Sequence, residues 1–164
     1  MKYLTSIALS VFMLMLLTTT LVYADDPDYP DYLGGNKNLI LISGKMGYAK
    51  YLDKKSVVVK KYAPPVYKLT VTVLSAREPG RGVEITGKRK IDFLYKWDTR
   101  KMYIYVDNSW KEIEPAQYGY QEFAHMVGEM AFYIAYHKKF YGDIYTSPDY
   151  YSTEYVYVRV DGAE

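Results

Sequence analysis

Between Tyr67 and Val73 the side chains alternate without a break, with Tyr67, Leu69, Val71 and Val73 set against Lys68, Thr70 and Thr72. A two-residue period sends the two sets to opposite faces of a pleated strand, so this stretch demands a sheet with one sealed face and one wet face. The pattern recurs downstream. From Val83 to Trp97 the residues Ile91, Phe93, Tyr95 and Trp97 share a face, and Met102, Ile104 and Val106 then alternate with Tyr103 and Tyr105. Asp98-Thr99-Arg100 and Asp107-Asn108-Ser109 carry turn chemistry between these runs, ahead of a short run from Trp110 to Ile113. A meander follows from that order.

Upstream, Leu39–Ser43, Tyr48–Leu52 and Ser56–Tyr62 read as three short strands, closed respectively by Gly44, Asp53-Lys54-Lys55 and Pro64-Pro65. After Pro115 the period changes to that of a helix. From about Tyr120 the residues Phe123, Val127, Met130, Ala131 and Ile134, continued by His137 and Tyr141, form one stripe, with a stop near Phe140 because Gly142 follows. Gly128 interrupts it at a cost of about 1 kcal/mol relative to alanine, which a close approach to the sheet would explain. Val156, Val158 and Val160 alternate with Tyr155, Tyr157 and Arg159 and predict a last strand. The expected class is α+β: an antiparallel sheet of five to seven strands, one long helix in the C-terminal half packed across it, and a final strand returning to the sheet.

The ends carry a different message. Met1–Ala24 has the form of a secretory leader, with Lys2 as its one charge, an apolar run from Leu4 to Leu17, and Val22-Tyr23-Ala24 before an abruptly acidic stretch. An uncleaved anchor is the alternative, since Tyr3–Val22 is about long enough to cross a hydrocarbon layer. Asp25–Asn38, with four acids, two prolines and Gly34-Gly35-Asn36, reads as a flexible acidic linker, leaving residues 39–164 as a single domain. Once the leader is removed, no stable membrane anchor is expected, and the destination is the periplasm, the cell surface or the medium.

Composition narrows the function classes. Without the leader 20 basic residues face 19 acidic ones, which argues against a nucleic-acid binder. The chain has no cysteine, which excludes thiol catalysis, disulfides and thiolate metal sites. Glu122, His125 and Glu129 lie at helical spacing on one face and offer either a partial metal-ligand set or an intrahelical ion pair; the second helix that a carboxylate metal site needs is not predicted, so no metal and no cofactor are expected. The six serines outside the leader and linker form no nucleophile elbow. Glu84, Asp92, Asp98 and Asp107 lie in or beside strands and leave a carboxylate-dependent hydrolase open, so whether the chain is an enzyme is undecided, with the balance against it.

Tyrosine is the unusual feature, with 19 of 21 remaining after the leader. If the aliphatic residues of the strands around Ile104 and Val158 meet the helix, then Tyr103, Tyr105, Tyr155 and Tyr157 line the other face. Phenols combine apolar area with a hydrogen-bonding tip, so these four residues are the candidate ligand-binding set. The competing reading is strand-favouring filler shielded by lysine and arginine stems.

Tyr51-Leu52-Asp53-Lys54-Lys55-Ser56-Val57, the β-rich segment after it and the Tyr95–Tyr105 hairpin resemble small exported bacterial proteins of uncharacterised role, and the Tyr-x-Asp-x-x-Ser-Val start is similar to the surface-adhesin E type of domain. The resemblance implies an envelope or surface location and a binding role. The leading expectation is an exported, adhesin-like or envelope-associated binding domain whose aromatic sheet face contacts an envelope component, a glycan or a host protein. The alternatives are the carboxylate hydrolase and a structural or inhibitory accessory protein of the envelope.

Overall fold

The computed structural model describes residues 29–77, 79, 82–114, 120–141 and 153–163; the stretch expected as a leader, Met1–Ala24, and Asp25–Asp28 lie outside them. Six strands form one antiparallel meander in chain order: β1 (Leu39–Lys45), β2 (Tyr48–Ala63), β3 (Val66–Arg77), β4 (Glu84–Lys96), β5 (Lys101–Val106) and β6 (Ser109–Ile113). Helix α1 (Tyr120–Tyr136) packs across one face, and a second helix, α2 (Thr153–Asp161), follows. The α+β class, with one long helix on an antiparallel sheet, is therefore the observed architecture.

The alternation over Tyr67–Val73 builds the core. Leu69, Val71 and Val73 of β3 stand opposite Phe93, Ile91 and Arg89 of β4. Leu69, Val71, Ile91, Phe93, Tyr95, Met102 and Ile104 are sealed beneath Val127, Met130 and Ala131 of α1. Gly128 is where the helix comes closest: a methyl added there would lie 2.2 Å from Met102 Sδ and 3.0 Å from the Phe93 ring. The Tyr95 hydroxyl donates to the Gly128 carbonyl at 2.8 Å, fixing the helix against the middle of β4. Asp107 and Asn108 both have positive φ, as a two-residue hairpin turn between β5 and β6 requires.

Four expectations are corrected. The two runs on either side of Asp53-Lys54-Lys55 are one strand, because Asp53 and Ser56 close a bulge. The Ser56 hydroxyl donates to the Asp53 carbonyl and accepts the Thr72 N–H, both at 2.7 Å, while Asp53 Oδ1 accepts the Lys55 N–H. The pairing with β3 then resumes at Val58 opposite Thr70. The Tyr-x-Asp-x-x-Ser-Val motif is thus the sequence of a bulge.

The stretch expected as a linker belongs to the fold from Tyr29 onward. Leu33 is buried with Leu41, Ala49, Tyr51 and Ala76 in a small second core on the face away from α1. Tyr29 lies flat on Gly44, where any side chain would meet its ring, and its hydroxyl accepts the Gly47 N–H at 2.8 Å. The Pro30 carbonyl accepts the Tyr51 hydroxyl at 3.1 Å, and the Asp31 carbonyl accepts the Leu41 N–H.

Helix α1 ends at Tyr136 rather than near Phe140. His137 takes a left-handed φ of 50°, and its N–H closes the last turn on the Tyr133 carbonyl. Finally, Thr153–Asp161 is a helix, not a strand returning to the sheet. Tyr157 and Val160, three apart, are buried, while Val158 is 60% exposed, a helical rather than an alternating pattern.

The packing at Gly128 yields a stability test. In Gly128→Ala the new methyl must displace Met102 and press on Phe93, an overpacking cost of about 1–3 kcal/mol set against a helix-propensity gain of about 1 kcal/mol. Urea denaturation is expected to show a net loss of up to about 2 kcal/mol. In the Gly128→Ala/Met102→Ala double variant the loss is expected to be smaller than the sum of the two single losses; strict additivity would deny the contact.

Candidate functional site

Two neighbouring arrangements decide what the surface offers. The first is a buried carboxylate. Glu129 faces inward from the middle of α1 and is fully buried. Its Oε1 accepts the Phe140 N–H at 2.6 Å and the Tyr157 hydroxyl at 2.5 Å, and the Tyr141 N–H reaches both oxygens at 3.2–3.3 Å. Burial pushes the carboxyl pKa up. The hydrogen bonds from Tyr157, Tyr141 and Phe140, together with the charge of Arg100, pull the other way. Arg100 itself donates to the Phe140 carbonyl and stacks 3.7 Å from the Trp97 ring centre.

One turn earlier, His125 is buried with its ring 5.1 Å from that of Tyr141, and burial pushes its pKa down to about 4, so it is neutral at pH 7. Glu122 is only partly buried at the start of the helix. Among the described residues no three His, Asp or Glu side chains are placed to hold a metal ion. Glu129 is engaged instead by donors from the chain after α1 and from α2.

The four tyrosines of the sequence-derived set do not form one surface. Tyr157 is 4% exposed and points into the core of the helix-bearing side, where it serves Glu129 and packs against Tyr133. Tyr155 lies in α2, and its side chain is outside the described residues. Only Tyr103 and Tyr105 sit on the face of the sheet away from α1. Tyr103 is half-buried with the Lys96 ammonium 5.2 Å from its ring centre. Tyr105, 42% exposed, packs on Trp110, which carries Lys68 at 5.3 Å. Lysine groups lie over two of these three rings, as snorkelling stems do.

The second arrangement is a recess on the helix-bearing face. Ser43, Lys50, Ser75 and Gly87 are successive partners across β1, β2, β3 and β4, so they form one row on the helix-bearing face. Leu52, Val73 and Arg89 form the next row. These rows run past the N-terminal end of α1, and the space between them and Phe123 is a recess of about 510 Å³. The Lys50 ammonium donates to Ser75 Oγ at 3.3 Å and lies 5.5 Å from the Phe123 ring centre. A side chain at Gly87 would meet no atom within 4 Å, so this part of the shelf is open. Lys88 and Arg89 complete the lining, and none of its described residues is acidic. Nearby, Lys111 and, less strongly, Arg89 hold the exposed Asp107 carboxyl below its ordinary range.

The sequence did contain a signal for this recess. Ser75 is the next member of the series Tyr67, Leu69, Val71, Val73, and Arg89 precedes Ile91, Phe93, Tyr95 in the series on β4. A polar residue at the same end of two paired apolar series marks where the sealed face stops.

The remaining carboxylates are dispersed. Glu84 and Asp92 are eight residues apart on β4, about 26 Å along a strand. Asp92 accepts the Thr70 hydroxyl, Asp98 caps Thr99 in the β4–β5 turn, and Asp107 pairs with Lys111. None of the four lines this recess. No helix among the described residues is long and apolar enough to cross a membrane. No known family model matches the chain, and neither a curated protein nor a solved structure is significantly similar to it.

The two buried ionisable groups of α1 make opposite contributions to stability against pH. His125 has a folded pKa of about 4 against an ordinary 6.5, so the folded chain binds fewer protons between those values. That contribution is complete above pH 6.5 and is lost on acidification toward pH 4, amounting to about 3 kcal/mol at about 1.4 kcal/mol per pH unit. Glu129, raised above 4.5, runs the other way: its contribution is present below pH 4.5 and is lost as pH rises through the folded value. Urea midpoints measured from pH 7 to pH 4 are expected to fall less in His125→Phe than in the parent chain; an unchanged slope would reassign the acid sensitivity. Glu129→Gln puts an amide donor against N–H and O–H donors, and at pH 7 a loss of about 1–3 kcal/mol is expected by the same measurement.

Proposed function

We propose that this chain is an exported binding domain that holds an anionic group of an envelope, glycan or matrix ligand in the recess between the β1–β4 shelf and Phe123. One observation carries the reading: two cationic side chains, Lys50 and Arg89, and two hydroxyls, Ser43 and Ser75, converge on one open recess with an aromatic wall and no described acidic lining. Lysine and arginine supply charge-assisted donors, the serines supply neutral ones, and the Phe123 ring gives an apolar surface for the body of the ligand. The low-dielectric floor formed by Val73 and Ile91 strengthens each of these interactions relative to open water.

The leader-like Met1–Ala24 supports export, and the resemblance to the surface-adhesin E type of domain supports an envelope or surface location. Binding is also the role that asks least of the site, which needs charge, hydroxyls and shape but no paired acid and base. Within this reading the outer-face rings of Tyr103, Tyr105 and Trp110 are a secondary contact region whose lysines extend the positive field.

The test is calorimetric titration of the chain without its leader against polygalacturonate, heparin and neutral dextran at low and moderate salt. Binding of a polyanion that weakens with salt, and no binding of dextran, is the expected result. Lys50→Ala combined with Arg89→Ala removes two charge-assisted contacts at about 1 kcal/mol or more each and is expected to weaken binding at least tenfold. Tyr103→Ala combined with Tyr105→Ala should change it less than threefold; the reverse ranking would return the site to the outer sheet face.

A further inference from the structure

At the other end of α1 the same face of the sheet is also left uncovered by the described residues, and there it is lined by rings. Tyr62 at the end of β2, Tyr67 at the start of β3, Trp97 just after β4, and Phe132 and Tyr136 of the last turns of α1 enclose a recess of about 260 Å³ with Lys138 on its rim. The rings are mutually braced. Tyr67 meets Tyr62 edge-on at 5.6 Å, Tyr136 at 5.2 Å and Phe132 at 5.6 Å, while Trp97 stacks on Phe132 at 5.6 Å with an interplanar angle of 15°. Tyr62 forms the outer wall and is 67% exposed. The hydroxyl of Tyr136 is buried and has no hydrogen-bond partner among the described residues. A buried hydroxyl left unmatched is costly.

A cage of rings suits two kinds of guest, a cation or a sugar, and the surroundings discriminate between them. Lys138 lines the opening, and the Arg100 guanidinium already occupies a face of Trp97. Two positive charges at a cage of this size disfavour a cationic guest. They favour a guest with an apolar ring face, several hydroxyls and a negative substituent. The available volume is that of one small ring.

We propose that this recess binds a single pyranose ring bearing a carboxylate, with the ring against Tyr62 and Tyr67 beside the edge of Trp97 and the carboxylate at Lys138. This site shares no residue with the Lys50–Arg89 recess and does not rest on it.

The probes are methyl glucuronoside, methyl glucoside and tetramethylammonium chloride, titrated into the leaderless chain carrying Trp110→Phe, so that Trp97 is the one remaining tryptophan and reports from the wall of the recess. Saturable change in Trp97 emission with the glucuronoside, about fivefold tighter than with the glucoside, is expected for one solvent-accessible charge contact of about 1 kcal/mol. Tyr62→Ala, which removes a mostly exposed wall and spares the core, is expected to weaken both sugars about fivefold. Lys138→Ala is expected to weaken the glucuronoside alone. Lys50→Ala with Arg89→Ala is expected to leave all of these values unchanged, whatever it does to polyanion binding. The proposal is overturned by the absence of saturable sugar binding, by equal affinity for the two glycosides, by tetramethylammonium binding as tightly as the glucuronoside, or by loss of the signal in the Lys50–Arg89 variant.

Discussion

A carboxylate sealed in the interior holds the second half of this molecule together. Glu129 can only accept hydrogen bonds when ionised, and taking it out of water costs several kcal/mol unless donors surround it. The donors come from outside its own helix: the backbone of Phe140 and Tyr141 and the hydroxyl of Tyr157. The chain after α1 therefore has to fold back over the helix, and α2 has to dock with Tyr157 inward. From α2 the linkage continues to the other end of the chain. Arg159 pairs with Asp31 at 2.7 Å, and its carbonyl accepts the Tyr32 hydroxyl at 2.9 Å. One buried carboxyl group in α1 thereby reaches the segment that precedes β1.

That arrangement also explains why the helix-bearing face has a recess at each end of the helix. Helix α1, at 17 residues, spans about 25 Å, whereas β3, at 12 residues, spans about 40 Å. Gly128 and Tyr95 pin the helix near its middle, so the strands project beyond both ends. What the strands carry there differs. Beyond the N-terminal end the paired series turn polar and basic at Ser75 and Arg89. Beyond the C-terminal end they turn aromatic at Tyr67 and Trp97. The fold thus presents two chemically distinct recesses on one face, the second completed by Trp97 and Lys138 from the segments that follow β4 and α1.

The features legible in the sequence were those governed by local period. The alternation over Tyr67–Val73 and Ile91–Trp97 was enough to place the core strands, and the stripe through Phe123, Val127, Met130 and Ala131 was enough to place the helix. The Asp-Asn turn was also readable, because few residues tolerate two successive positive φ values. The features that were missed depend on contacts distant in sequence. Tyr155–Val160 alternates as a strand would, yet Tyr157 and Val160 also satisfy a helical spacing. Nine residues are too few for periodicity to separate the two readings, and the deciding interaction is with Glu129, 28 residues away. Tyr29 to Leu33 looked like a linker because its composition is polar, while its order comes from Gly44, Tyr51 and Leu41. The Lys50–Arg89 recess was visible as an interruption of two series, but its meaning requires knowing where α1 stops.

The abundance of tyrosine follows from the same physics without requiring one aromatic surface. A phenol can fill a core and still satisfy a polar group at its tip. In a chain without cysteine, and with two helices and an N-terminal segment to attach to one sheet, that combination substitutes for covalent fastening. Tyr51, Tyr95, Tyr141 and Tyr157 each bury the ring and spend the hydroxyl on a backbone or carboxylate group of another segment. Tyr29 and Tyr32 do the same from the N-terminal segment. Tyr62, Tyr67 and Tyr136 are different, because their rings are braced against one another while the Tyr136 tip has no partner among the described residues. Tyrosines used as fasteners consume their hydroxyls inside the fold, whereas the rings gathered at Tyr62 and Tyr67 leave aromatic surface that an external ligand can cover.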